Sequence, residues 1–176
     1  IGKPAYNKKQ GGFVLDGSSA YEHATLGDFE KNQAWAVQVR LKMTKTTNGA
    51  VLARMDEGNN YRGWDFWLEQ GRPGSHVIDS WDKAANKTVA KAALKPGEWH
   101  HVMITFDGTK AGHQAHAVHV NGKKVASTTY PNTVGGTLET KVPLRLGERQ
   151  DGESKLSGGE VALQDFRFYR RLLSPR

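Results

Sequence analysis

The sequence contains no cysteine, which excludes thiolate zinc sites, iron–sulfur clusters, c-type haem attachment and cysteine nucleophiles within it. The same absence leaves the compartment open, because a domain of this length folds without disulfides in either setting. No stretch approaches the ~18 consecutive apolar residues that a membrane-spanning helix needs, so direct membrane insertion is not expected. Helical periodicity is also nearly missing; the one hint is a short turn within Leu26 to Gln33. Acidic residues are in deficit, with 18 Asp plus Glu against 25 Lys plus Arg and a formal net charge of +7. That balance favours polyanionic partners, or serves solubility alone. Nucleic acid is not among the expected partners, because no recognition helix, zinc-finger spacing or RNA-binding aromatic signature accompanies the dispersed basic residues. The opening Ile1-Gly2-Lys3-Pro4 has neither an initiator Met nor a signal pattern, so the chain is expected to be a domain of a longer protein.

What is present is a succession of short strands separated by turn clusters, the pattern of an all-β sandwich or barrel. Its 176 residues suffice for one core and one domain, 1–176, without a staple. Ala34 to Leu41 alternates, with Trp35, Val37, Val39 and Leu41 on one face and Gln38 and Arg40 on the other. His100 to Phe106 sends Val102, Ile104 and Phe106 to one side and His101, Met103 and Thr105 to the other, before Asp107-Gly108 turns the chain. His116 to Val120 follows and ends at Asn121-Gly122, a type I′ hairpin signal. Lys123 to Ser127 returns from that turn, and Gly12 to Asp16, Gly49 to Met55, Asp65 to Glu69, His76 to Trp81, Pro143 to Gly147 and Gly159 to Tyr169 complete the expected strands. The segments 56–63, 70–74, 108–114 and 148–158 read as polar, Gly-rich loops suited to displaying binding groups.

The region from Arg54 to Trp81 carries the densest chemistry. Tyr61, Trp64, Trp67 and Trp81 supply flat apolar faces; Arg54, Arg62, Arg72, His76 and several carboxylates supply donors and acceptors around them. Sugar recognition needs this mixture, because C–H faces stack on rings while hydroxyls pair with planar polar groups. Arg adds bidentate recognition of sulfate or carboxylate. The structural alternative is that Trp64 or Trp67 fills the core and that Arg54 orders a loop through Asp56, Glu57 or Asp65. On the strand Asp65 to Glu69, Phe66 and Leu68 form the natural core pair, which turns Trp67 outward with Asp65 and Glu69. Seven histidines raise the question of metal, but no third convergent ligand accompanies His101 and His119, which are expected on one outward face.

Three segments together resemble a known family. They are Phe13-Val14-Leu15-Asp16-Gly17 with Ala20-Tyr21; Leu94-Lys95-Pro96-Gly97-Glu98-Trp99-His100-His101-Val102 with Phe106-Asp107-Gly108 and Val120-Asn121-Gly122-Lys123; and Gly159 through Phe166-Arg167-Phe168-Tyr169-Arg170 to Ser174. In order and spacing they are similar to laminin G-like domains of the concanavalin A-like lectin/glucanase fold. The stretch Leu52 to Glu57, Tyr61 to Asp65 and His76 to Trp81 resembles more narrowly the copy inserted in planctomycete proteins that carry cytochrome-c-like domains. The resemblance implies a two-sheet antiparallel jelly-roll sandwich with one concave face, and an exported, extracytoplasmic parent. It also implies a structural calcium ion held by Asp16 and Asp165, although Gln164 stands where members often carry a second acidic residue.

Members of this fold include binding modules and polysaccharide-cleaving enzymes, so the fold does not choose between them. A retaining hydrolase needs two carboxylates about 5 to 5.5 Å apart. Asp65 and Glu69, four residues apart on one strand, stand roughly 13 Å apart, and the Glu-x-Asp-x-x-Glu pattern of laminarinase-like members is absent, as are the strand motifs of the lyases. The expectation is therefore a non-catalytic, lectin-like module that binds a polysaccharide or glycan, including anionic or sulfated ones. Its site residues are Arg54, Tyr61, Arg62, Trp64, Trp67, His76 and Trp81, and no cofactor is required. A domain that docks other parts of its parent protein is the alternative.

Overall fold

The computed structural model describes residues 5–130, 134–150 and 154–173. Two seven-stranded antiparallel sheets face each other, as the all-β reading expected. The first sheet runs β1 (Tyr6–Asn7), β2 (Gly12–Leu15), β14 (Val161–Tyr169), β4 (Ala34–Met43), β9 (His100–Asp107), β10 (His116–Val120) and β11 (Lys123–Lys124). The second runs β12 (Ser127–Tyr130), β8 (Ala84–Ala90), β7 (Arg72–Ser80), β6 (Arg62–Glu69), β5 (Gly49–Asp56), β13 (Leu144–Leu146) and β3 (Tyr21–His23). The architecture is a jelly-roll sandwich of the concanavalin A-like type.

Alternation explains which side chains meet between the sheets. Trp35, Val37, Val39 and Leu41 of β4 are buried, and register with β9 sets them against Phe106, Ile104 and Val102. The facing sheet contributes Leu52, Trp64, Phe66, Leu68 and Val77 to the same cluster. Its densest part is aromatic: Phe29 stacks on Trp35 at 4.7 Å, and Trp64 stands 5.4 Å from Trp35 and 5.5 Å from Phe29. Such pairs add roughly 0.5–1.5 kcal/mol each beyond the area they bury.

Leu26 to Gln33 keeps its expected turns, at residues 26–27 and 31–32. Several other local expectations change. The segment 70–74 is mostly strand; the reversal is the pair Gln70-Gly71, both at positive φ (52° and 74°), which is a tight primed hairpin turn between β6 and β7. Asp107-Gly108 does not close a two-residue turn, because the chain passes through a 3-10 turn at Gly112–Gln114 before β10. Asn121-Gly122 does close one, with φ of 50° and 78°. The strands β1, β3, β8 and β12 were not expected. The short β1 and β3 contain no β-branched residue and β8 opens on Ala84-Ala85-Asn86-Lys87, so these three are ordered by pairing with their neighbours, whereas β12, Ser127-Thr128-Thr129-Tyr130, is β-prone but only four residues long.

Candidate functional site

The face of the second sheet that turns away from the first carries a separate small apolar patch. Ala50, Ala53, Met55 and Ile78 are buried there, with Tyr61, Trp67 and Ala85 packed against them. Strand alternation places Asp65, Trp67 and Glu69 of β6 on this face, and cross-strand register brings His76 of β7 beside Asp65. Beyond them opens a cleft of about 380 Å³ lined by Asn48, Tyr61, Trp67, Glu69, His76, Trp81, Lys87 and Arg149.

The floor of the cleft is a buried ionic network. Asp65 is 0% exposed. Arg149 donates to its Oδ2 from Nε at 3.1 Å and from Nη2 at 2.6 Å. The His76 backbone N–H donates to Oδ1 at 2.8 Å, and His76 Nδ1 lies 3.0 Å from the same oxygen. Burial alone pushes the Asp65 carboxyl up, but the charges of His76 and Arg149 and their hydrogen bonds outweigh it and hold the group well below the usual carboxylate range. An ionised carboxylate only accepts, so His76 Nδ1 carries a proton. The third guanidinium nitrogen, Nη1, reaches Glu57 Oε1 and Ser154 Oγ, both at 3.4 Å. Burial lowers the Arg149 affinity for its proton, and the charges of Asp65 and Glu57 more than restore it.

Aromatic rings wall the cleft. The Arg149 guanidinium lies 4.6 Å from the Trp67 ring centroid and 5.8 Å from that of Tyr61. Trp81, which is 48% exposed, stands 5.6 Å from Tyr61 and 6.2 Å from His76. Asn60 and Tyr61 are both left-handed, with φ of 56° and 61°, a conformation that costs a non-glycine residue ~1–2 kcal/mol. It is held by the Trp81 backbone N–H, which donates to the Asn60 carbonyl at 3.0 Å, and by Asn60 Nδ2, which donates to Ser80 Oγ at 2.7 Å. Strain maintained in this way is a feature of ligand-binding sites. At the far wall Glu69 accepts from Lys87 Nζ at 2.6 Å and from Arg72 Nη2 at 2.5 Å. The Lys87 hydrogen bond, with the charges of Lys87 and Arg72, keeps its carboxyl low despite partial burial.

The structure divides the seven expected site residues. Tyr61, Trp67, His76 and Trp81 share the cleft. Trp64 lies inside the sandwich at 1% exposure, with its Nε1–H donating to the Gly27 carbonyl at 2.7 Å. Arg54 is cross-strand from Trp64 and is also buried; it donates to the carbonyls of Ala24, Leu26 and Thr140 and so fastens two loops. Arg62 reaches the Asp79 carbonyl from outside the cleft. Asn48, Lys87 and Arg149 also line the cleft and are not among the expected residues, Arg149 being the one at the centre of its floor. Arg149 falls in a polar, Gly-rich segment suited to display, but nothing local to Glu148-Arg149-Gln150 announces a partner as distant in sequence as Asp65.

The expected calcium pair does not converge. Val161 is opposite Leu15 and Leu163 opposite Phe13, so Asp16 and Asp165 stand about five strand positions apart, roughly 17 Å. Asp16 accepts from Ser18 N and Oγ, and Asp165 pairs with Arg167 at 2.7 Å. These two residues therefore do not fit a shared ion. No cluster of three or more His, Asp or Glu side chains suited to a metal occurs among the described residues. No helix among them is long and apolar enough to cross a membrane.

Solved structures with similar folds include the binding domain of Paraclostridial Mosquitocidal Protein 1, with 14% identity, a TM-score of 0.72 and coverage of 98% of this chain and 43% of that one. The mouse laminin alpha1 chain, domains LG4-5, gives 19% identity, a TM-score of 0.63 and coverage of 97% and 44%. The native heptameric SAP-like pentraxin from Limulus polyphemus gives 16%, 0.56, and coverage of 92% and 77%. At such identities the likeness shows the fold, and the chain spans less than half of the length of the first two. No curated protein sequence matches the chain. The laminin G model described as the concanavalin A-like lectin/glucanases superfamily matches residues 16–176, and the chain belongs to that superfamily.

Proposed function

We propose that the domain is a non-catalytic binding module that takes a neutral saccharide in the cleft between Tyr61, Trp67, His76 and Trp81. One observation carries the reading: the aromatic walls open to solvent at Trp81, while each cation lining the cleft is already paired inside the protein. All three guanidinium nitrogens of Arg149 are engaged, and Lys87 is bonded to Glu69. An anionic or sulfated group entering here would displace a carboxylate from its partner, which costs more than a hydroxyl exchanging water. A pyranose needs the opposite arrangement: exposed rings for its C–H face and fixed acceptors and donors at the rim.

The carboxylates also argue against hydrolysis. A glycosidase acid must hold its proton near neutral pH, whereas Asp65 and Glu69 are both held below their ordinary values. The narrower resemblance to planctomycete proteins with cytochrome-c-like domains belongs to the same proposal, and with it an extracytoplasmic location.

The test is calorimetric titration with a panel of neutral oligosaccharides. Binding should fall about tenfold in Trp81→Ala, a loss of ~1.4 kcal/mol, with the melting temperature unchanged because the side chain is half exposed. Equal affinity in both proteins would remove the cleft from the account. Silence of the wild-type chain across the panel would favour docking against another domain through the same aromatic surface.

A further inference from the structure

The sandwich has a second opening, which shares no lining residue with the cleft, where the outer strands of the two sheets come together. Four of the seven large hydrophobic side chains exposed among the described residues gather there: Tyr6, Phe13, Leu26 and Phe166. Between them lies an apolar pocket of about 190 Å³, formed by Phe13, Tyr21, Leu26, Leu144 and Phe166 with Glu22 and His23 at its rim. A gathered, exposed apolar surface of this kind on a folded domain marks an interaction site.

The backbone is bent to make it. β14 breaks register between Gln164 and Arg167, and Asp165 there takes φ of 47°. A β-bulge re-aims a side chain, and this one leaves Phe166 37% exposed at the pocket in a strand that otherwise sends Val161, Leu163 and Phe168 into the core.

Size and surroundings identify the occupant. A dry apolar cavity of about 150 Å³ takes up benzene, so this pocket holds one aromatic or branched aliphatic group. It adjoins β3, the last strand of its sheet, with no strand registered on its outer side among the described residues. His23 is directly opposite Leu144, and both line the pocket. Residues opposite one another in a sheet share a face, so a strand added outside β3 would turn its residue opposite His23 toward the same pocket. His23 Nδ1 accepts from the Thr25 and Leu26 amides, which leaves Nε2 as the donor of the neutral ring, suited to a carbonyl.

We propose that this mouth binds an extended peptide, which adds to the edge of β3 at Glu22 and His23 and seats one aromatic or branched aliphatic side chain in the Phe13–Phe166 pocket. The occupant is a segment of another protein or domain, and the site shares no lining residue with the saccharide cleft.

The experiment is an NMR titration of the whole chain with a capped peptide, Thr-Thr-Val-Phe-Val-Thr-Thr, and with the same peptide carrying alanine in place of phenylalanine. The Phe peptide should shift the amides of Glu22 and His23, and the Ala peptide should bind about tenfold more weakly. Phe166→Ser should weaken the Phe peptide by a similar factor, and Leu26→Asp provides a second rim variant should the first fail to fold. Trp81→Ala should leave peptide binding unchanged, which separates this site from the cleft. Absence of shifts at millimolar peptide would overturn the proposal. So would binding of toluene without either peptide, or concentration-dependent self-association that shifts the same amides.

Discussion

Asp65 is fully buried on the cleft face of β6 and ionised there. Its carboxylate sits at the centre of Arg149, His76 and the β7 backbone, so the network sets the shape of the cleft. Removing one partner of a buried ion pair leaves an uncompensated charge. Arg149→Ala should therefore cost ~3–5 kcal/mol in denaturant unfolding, and Arg149→Lys should recover only part of it because it lacks the planar fork. His116 gives a pH prediction. It is buried between the sheets, with Nδ1 3.2 Å from Asn86 Oδ1, and burial above all pushes its imidazole down from 6.5 to about 3. The folded form then binds fewer protons than the unfolded form between those values. Its contribution is complete above pH ~6.5 and declines as pH falls toward 3, by at most ~1.4 kcal/mol per pH unit. Asp65, also lowered on folding, adds to acid sensitivity only below its unfolded value of ~3.9. Unfolding free energies at pH 7 and pH 5 check the sign, and a His116→Gln variant should lose most of that difference; equal slopes would contradict the assignment.

At the scale of the element, β6 was the most legible strand. Its alternation placed Phe66 and Leu68 inward and Asp65, Trp67 and Glu69 outward, as the structure shows. Trp64 follows the same parity into the core, so extending the strand by one residue before Asp65 would have removed it from the candidate site. The start of β6 depends on Gly63, at φ of 125°. A Cβ there would strike the Arg54 carbonyl and lie 3.0 Å from the Met55 Cα. Gly63→Ala should thus lower stability by more than ~1 kcal/mol, seen as an earlier denaturant midpoint. Other elements were hidden for physical reasons. The first half of β8, Ala84-Ala85-Asn86-Lys87, has little β propensity of its own, and the strand is held by β7 and β12; the bulge of β14 follows from tertiary register that no local pattern encodes. The partnership of Arg149 with Asp65 is hidden for the same reason: a contact made by closing a loop over a sheet leaves no periodic trace.

For the whole molecule, the question is where its net charge of +7 acts. The cleft uses its cations internally. Arg40 and Lys42 instead project from the outer face of the first sheet, over the Trp99 ring at 5.0 and 5.1 Å. The two sheets thus present different chemistries, and the account requires saccharide binding to be insensitive to salt, because no unpaired charge mediates it. The five tryptophans report on both faces through their indole N–H resonances. The decisive measurement is to follow those five signals while titrating first a neutral dextran and then dextran sulfate, each at low and high salt. The account predicts that the neutral polymer moves Trp67 and Trp81, with Trp35, Trp64 and Trp99 still and no dependence on salt. Movement of Trp99 alone, with the sulfated polymer and only at low salt, would contradict it and transfer binding to the opposite sheet.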